Sequence, residues 1–160
     1  MGIVAYDKRN GRIQYGWATP KGNYALPDWE FVFQGNRDII DNLGIVQTDL
    51  ELTTLQAQRY YRIWQGQLLP KPKPELSASP AYEGQETILT VMLHGLQEGE
   101  EISDIKAMVA GVGLVPAQLE LKAGENRLVF EILGELVIKI DDERLLPASI
   151  HVEVMPLEGD

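Results

Sequence analysis

Two histidines, two acidic clusters and a set of large aromatic rings are the side chains of this 160-residue sequence that could do chemistry. His151 and Glu153 stand at H-x-E spacing, which on a strand puts both on one face. In zinc deaminases that spacing works with a later P-C-x-x-C, and the chain contains no cysteine. The pair therefore reads as an outward-facing polar pair, where such residues usually sit. His94 precedes Gly95 and has no carboxylate at ligand-like spacing, so it reads as a polar strand end. The clusters Glu98, Glu100, Glu101 and Asp141, Asp142, Glu143 lack the D-x-D-x-D-G order of a calcium loop and read as solvated turns.

Other chemistries fall for want of their parts. No G-x-S-x-G supplies a strained serine nucleophile. Gly111-Val112-Gly113 lacks a third glycine and a following lysine, so it reads as a tight turn or bulge. Glycoside hydrolysis needs two carboxylates paired only in space, and nothing in the sequence sets two of them in a cleft. Without cysteine there are no disulfides, thiolate nucleophiles or cysteine-held metal centres. The expectation is a chain that is not an enzyme, with no catalytic residues, no cofactor and no metal.

The rings support two readings. Trp17, Trp29 and Trp64, with Tyr15, Phe31, Phe33, Tyr60 and Tyr61, could form a stacking platform for a glycan. In a unit of about 70 residues the favoured reading is core, because large rings bury area that a small chain otherwise lacks.

Charge narrows the partners. Fourteen basic against twenty-four acidic residues give a net charge of −10, which repels phosphate backbones and speaks against nucleic acid. The longest apolar runs fall far short of the roughly 20 residues of a membrane span. The start resembles no signal peptide, since it meets charge at Asp7, Lys8 and Arg9. A soluble protein made in the cytoplasm is expected.

These residues need elements to position them. Residues 70–74 alternate proline with lysine, a pattern that favours an extended, hydrogen-bond-poor connector. Three domain segments follow: 1–70, aromatic-rich; 71–75, the connector; and 76–160, β-patterned. All three tryptophans and five of the six tyrosines precede the connector.

In the first part, Asn10-Gly11 between apolar segments signals a hairpin of residues 2–6 and 12–18. Gln65-Gly66 signals a second, between residues 60–64 and 67–69. Residues 30–33 read as a strand. Residues 36–43 read as a short helix capped by Asn36, burying Ile39, Ile40 and Leu43 and stopped by Gly44. Residues 49–58 lean towards a helical turn over Leu52, Leu55 and Ala57.

The second part shows period-two alternation at short intervals. Leu119 and Leu121, then Leu128, Phe130 and Ile132 after a Gly-Glu-Asn turn, alternate with polar neighbours. So do Leu136, Ile138 and Ile140, and then Ile150, Val152 and Val154. Residues 86–94 and 102–109 add two strands and residues 75–79 an edge strand. About seven strands in roughly 85 residues predict a small β-sandwich. The expected fold is mainly β: a small mixed α+β amino-terminal domain, then an immunoglobulin-like antiparallel β-sandwich. Ile88 and Met92 make the second face of their strand half apolar, and residues 109–115 are apolar and glycine-rich. Ile88, Met92, Val109, Val112 and Leu114 are therefore the candidate self-association surface.

With this layout the sequence resembles structural proteins associated with the tails and fibres of tailed bacteriophages. The likeness rests on the opening hairpin IVAYDKRNGRI (residues 3–13) and on the closing aromatic strand, glycine turn and proline-rich exit of residues 60–76. It extends to a β-domain running from LSASPAYEGQETILTVML to ASIHVEVMP; residues 19–58 match no part of it. The resemblance implies a virion component, a tail, baseplate or fibre-linking subunit, made in the host cytoplasm. Its implied partners are other virion proteins and further copies of itself, a trimer being one such symmetry, with a host-surface glycan as a further candidate. A stand-alone carbohydrate- or ligand-binding module and a capsid decoration protein are the alternatives.

Overall fold

The computed structural model of the chain describes residues 2–18, 26–111 and 115–157. It is mainly β, with several antiparallel sheets. Contacts divide it into two units, Met1–Lys71 and Pro72–Asp160.

The first unit is built on β1 (Gly2–Asp7), which pairs antiparallel with β2 (Ile13–Ala18) and β3 (Leu43–Thr48). The opening hairpin is present, but its turn is longer than a two-residue Asn-Gly turn. Asp7 organises it: its N–H donates to the Arg12 carbonyl at 2.8 Å and its carbonyl accepts from the Gly11 N–H at 2.8 Å. Only Gly11, at φ 73°, takes the left-handed conformation there. A register shift at Ala5/Tyr6 makes Gln14 the extra residue of a bulge.

Residues 30–33 are not a strand. The Asp28 side chain accepts from the Glu30 N–H and caps α1 (Trp29–Val32). Asn36 caps α2 (Arg37–Ile40) through the Ile39 N–H, as expected. The helix is shorter than expected, and Leu43 and Gly44 belong to β3. Gly44 is there to make room: a Cβ at this position would lie 2.4 Å from Cζ of Tyr6, its cross-strand partner.

A capping box of Thr53 and Gln56 starts α3 (Thr54–Tyr60). Leu52 precedes the helix and Leu55 is 68% exposed, so of the three expected apolar contacts only Ala57 is a buried helical one. The helix meets β2 at Gly16, whose N–H donates to Thr54 Oγ1 at 3.1 Å. β4 (Tyr61–Trp64) and β5 (Gln67–Pro70) follow as the second hairpin, with Gln65 at φ 48° and Gly66 at φ 76°. Val4, Ile13, Ala57 and Ile63 form the core of this unit. Ile3 and Ala5 are also buried, and by alternation along β1 they face the other side of the sheet from Val4.

The second unit holds β6 (Lys73–Ala78), β7 (Ala81–Tyr82), β8 (Glu86–His94), β9 (Ile105–Gly111), β10 (Ala117–Leu121), β11 (Gly124–Val129), β12 (Gly134–Ile140) and β13 (Ser149–Met155). They form a five-stranded sheet, β10-β9-β12-β13-β7, and a three-stranded sheet, β11-β8-β6. The β7–β13 pairing is parallel. Leu89 and Val91 of the smaller sheet and Ile105, Ala107, Leu136, Ile138, Ile140, Val152 and Val154 of the larger share one buried cluster.

Three local readings need correction. Gly124-Glu125-Asn126 is not a turn but the start of β11, with Asn126 buried. Its Nδ2 donates to the carbonyls of Lys122 (2.8 Å), Gly124 (3.2 Å) and Leu89 (3.3 Å), and its Oδ1 accepts from the Lys122 N–H at 2.8 Å. A buried amide with all these bonds fixes the preceding turn. Ile132 lies beyond β11 and is 47% exposed. The proline–lysine run is extended but not hydrogen-bond-poor: Pro70 ends β5, Lys73 opens β6, and the buried Pro72 accepts from the Leu146 N–H at 2.9 Å.

Candidate functional site

The polar candidates resolve into surface pairs. His94 Nε2 lies 2.5 Å from Glu75 Oε2, across the β6–β8 pairing. His151 Nδ1 lies 3.8 Å from Glu135 of β12. In all four residues the side chain is more than half exposed. Among the described residues no three histidine, aspartate or glutamate side chains converge as a metal site.

Asp142 of the second acidic cluster is a structural anchor. Its carboxylate accepts from the Lys106 N–H at 3.1 Å and from the Arg144 N–H, Nε and Nη2 at 3.1, 2.9 and 2.7 Å. Burial alone would raise its pKa, but the Arg144 guanidinium and the two backbone N–H groups outweigh it and hold the carboxyl at about 2. In the first unit, hydrogen bonds from the side chain and backbone N–H of Arg9 hold the Asp7 carboxyl below its ordinary 3.8.

The self-association candidates separate. On β8, Leu89 and Val91 point into the core while Ile88 is half-buried and Met92 is 55% exposed on the outer face. Around them stand the ion pair Arg127–Glu86, 2.7 Å, and the hydrogen-bonded pair His94–Glu75. Val109 packs against the core cluster instead, because the apolar run at 109 continues the inward row of Ile105 and Ala107. Val112 and Leu114 lie outside the described residues.

The three tryptophans do not form one platform. Trp64, half-buried in β4, lies under the Arg62 guanidinium, 5.6 Å from its ring centre. Trp17, half-buried in β2, is cross-strand from Ile3. Trp29 belongs to a ring cluster with two other aromatics. It stands edge-on to Tyr15 at 5.8 Å and stacks on Phe33 at 5.9 Å, and Phe33 meets Tyr15 edge-on at 6.4 Å. These rings pin α1 to β2.

Beside that cluster is a cleft of about 520 Å³ lined by Tyr15, Glu30, Phe31, Val32 and Gln34. Phe31 is 82% exposed at its edge. Gln34 holds a left-handed backbone, φ 52°, where its N–H donates to the Phe31 carbonyl at 3.3 Å. Glu30 accepts from Arg37, which also donates to Asp41 at 2.6 Å. Hydrogen bonds to Asp41 first, and the charge of Glu30, raise the Arg37 pKa. The sequence named Phe31 among the rings but placed it in a strand, where alternation would have buried it or its neighbour. The signal for its exposure was Asp28, a capping residue directly before Trp29-Glu30.

Comparison of the chain with family models, with curated proteins and with solved structures finds no match.

Proposed function

We propose that the chain is a non-catalytic structural protein of a tailed-bacteriophage particle, a tail, baseplate or fibre-linking subunit. Its second unit is an immunoglobulin-like β-sandwich, and its work is to bind further copies of itself and neighbouring particle proteins. The sandwich reading is supported by two sheets that contribute to one core. The particle assignment is supported by the resemblance of residues 3–13 and 60–76 described above.

The observation that carries the assembly reading is the outer face of β11-β8-β6. Met92 stands more than half exposed on the same face as the half-buried Ile88, with Thr90 between them, and Arg127, Glu86 and Glu75 put both signs of charge around them. An apolar centre with a charged rim is the anatomy of a protein contact, and mixed charges suit a second copy of the same face better than a partner of one sign.

Light scattering after size-exclusion chromatography tests it across a concentration series. The intact chain is expected to run as a symmetric dimer, or as a larger even-numbered oligomer such as a hexamer that contains two-fold contacts. Met92→Glu places a charge in the contact and is expected to weaken assembly by about tenfold or more. A monomer at every concentration that also fails to label particles sinks the proposal.

A further inference from the structure

We propose that the cleft between Tyr15 and Phe31 binds a neutral sugar unit of a glycan. Ligand clefts that take sugars offer ring faces to apolar C–H surfaces and a few polar groups to hydroxyls. Phe31 presents a ring that is 82% exposed, and Tyr15 forms part of the lining. Tyr15 is held by the edge-on contacts of Trp29 and Phe33, so this wall is fixed before any ligand arrives. Glu30 is steadied by Arg37, and a carboxylate that accepts one such bond keeps further lone pairs for hydroxyl donors.

Gln34 is the most telling residue. Left-handed backbone is costly for a side chain with a Cβ, and a glycine or asparagine would serve the turn better. Gly35 follows at φ 71°, so the end of α1 is closed by two consecutive left-handed residues. Gln34, the first of them, belongs to the lining of the cleft, so the backbone strain coincides with the proposed site. An amide donates and accepts at once, as a sugar hydroxyl does.

The charges favour a neutral ligand. Arg37 is bonded to Glu30 and Asp41, and Arg9 to Asp7 and Asp38. The chain carries a net charge of −10. An anionic sugar would meet Glu30 with the nearby guanidinium already engaged.

Saturation-transfer NMR and calorimetry on the intact chain test the proposal with maltohexaose, cellohexaose and chitohexaose, and with 3′-sialyllactose as the anionic control. At least one neutral oligosaccharide is expected to bind with a Kd on the order of 10 µM to 1 mM. Phe31→Ala removes an exposed ring with little effect on folding and should weaken binding about tenfold or more. Gln34→Gly relieves the backbone, so it should raise the Tm while weakening binding several-fold. No transfer from any neutral oligosaccharide at millimolar concentration overturns the proposal, as does unchanged affinity in Phe31→Ala or preference for sialyllactose. If Phe31→Ala instead dissociates an oligomer and no sugar binds, the ring is a protein contact and the sugar site is refuted. The Met92→Glu measurement is read on the other unit, so the two proposals fail separately.

Discussion

Replacing Asp142 with alanine removes the acceptor of four hydrogen bonds, two of them from the backbone N–H groups of Lys106 and Arg144. Arg144 also donates through Nη2 to the carbonyls of Ser103 (2.9 Å) and Asp104 (3.1 Å), and Asp104 sits at φ 54°. The clamp thus ties the loop after β12 to the strained entry of β9. Each backbone donor left without a partner costs about 1–3 kcal/mol when buried, less where water reaches it. These donors lie near the surface, so about 2 kcal/mol is expected for Asp142→Ala and about 1 kcal/mol for Asp142→Asn. Hydrogen exchange of the β9 and β12 amides reads the loss in the second unit. Tryptophan fluorescence, which reports only residues before 71, is the internal control.

The same carboxylate sets a pH dependence. Its folded pKa, about 2, lies below the ordinary 3.8, so its stabilisation is present above about pH 4 and is lost as pH falls towards 2. That difference corresponds to at most about 2.4 kcal/mol, at about 1.36 kcal/mol per pH unit. The Arg144 side chain is 45% exposed, and screening leaves about 1 kcal/mol. Asp142→Asn should lose less stability than the intact chain between pH 4 and pH 2. Equal acid sensitivity, or exchange rates in Asp142→Ala that differ by less than about 0.5 kcal/mol from the intact chain, would refute the reasoning.

Two further outcomes follow from the first unit. Gly16→Ala places a Cβ 2.9 Å from the Thr53 carbonyl oxygen and 3.0 Å from that of Leu52, so α3 must shift. A loss of about 1–3 kcal/mol in urea unfolding followed by tryptophan fluorescence is expected. Gln65→Asn keeps the turn between β4 and β5 and suits its φ of 48° better. The Tm should rise, by an amount matching roughly 0.5 kcal/mol.

Much of the second unit was legible because its buried rows alternate strictly. Leu136, Ile138 and Ile140 are each 3% exposed or less, as period-two reading requires. The strand boundaries of residues 86–94 were read correctly for the same reason. The reading failed where a side chain does a backbone's work. Asp28 turned an apparent strand into α1, and Asn126 turned an apparent turn into a strand by bonding the loop before it. Gly44 looked like a helix stop because its use, a space for the Tyr6 ring, depends on a strand pairing 38 residues distant. The cleft was hidden for a related reason. Sequence supplied its rings, but which ring stays in water depends on how α1 leans on Tyr15.

The buried Pro72 bears on how such a chain can be cut and recombined. A splice that treats the whole proline–lysine run as spare linker would strip the second unit of a side chain under 2% exposed. It would also remove the carbonyl that receives the Leu146 N–H. The junction that spares this unit lies before Pro72, where contacts already divide. Module exchange, by engineering or by genetic shuffling, should leave viable products when the breakpoint falls at Lys71 and damaged ones when it falls after Pro74.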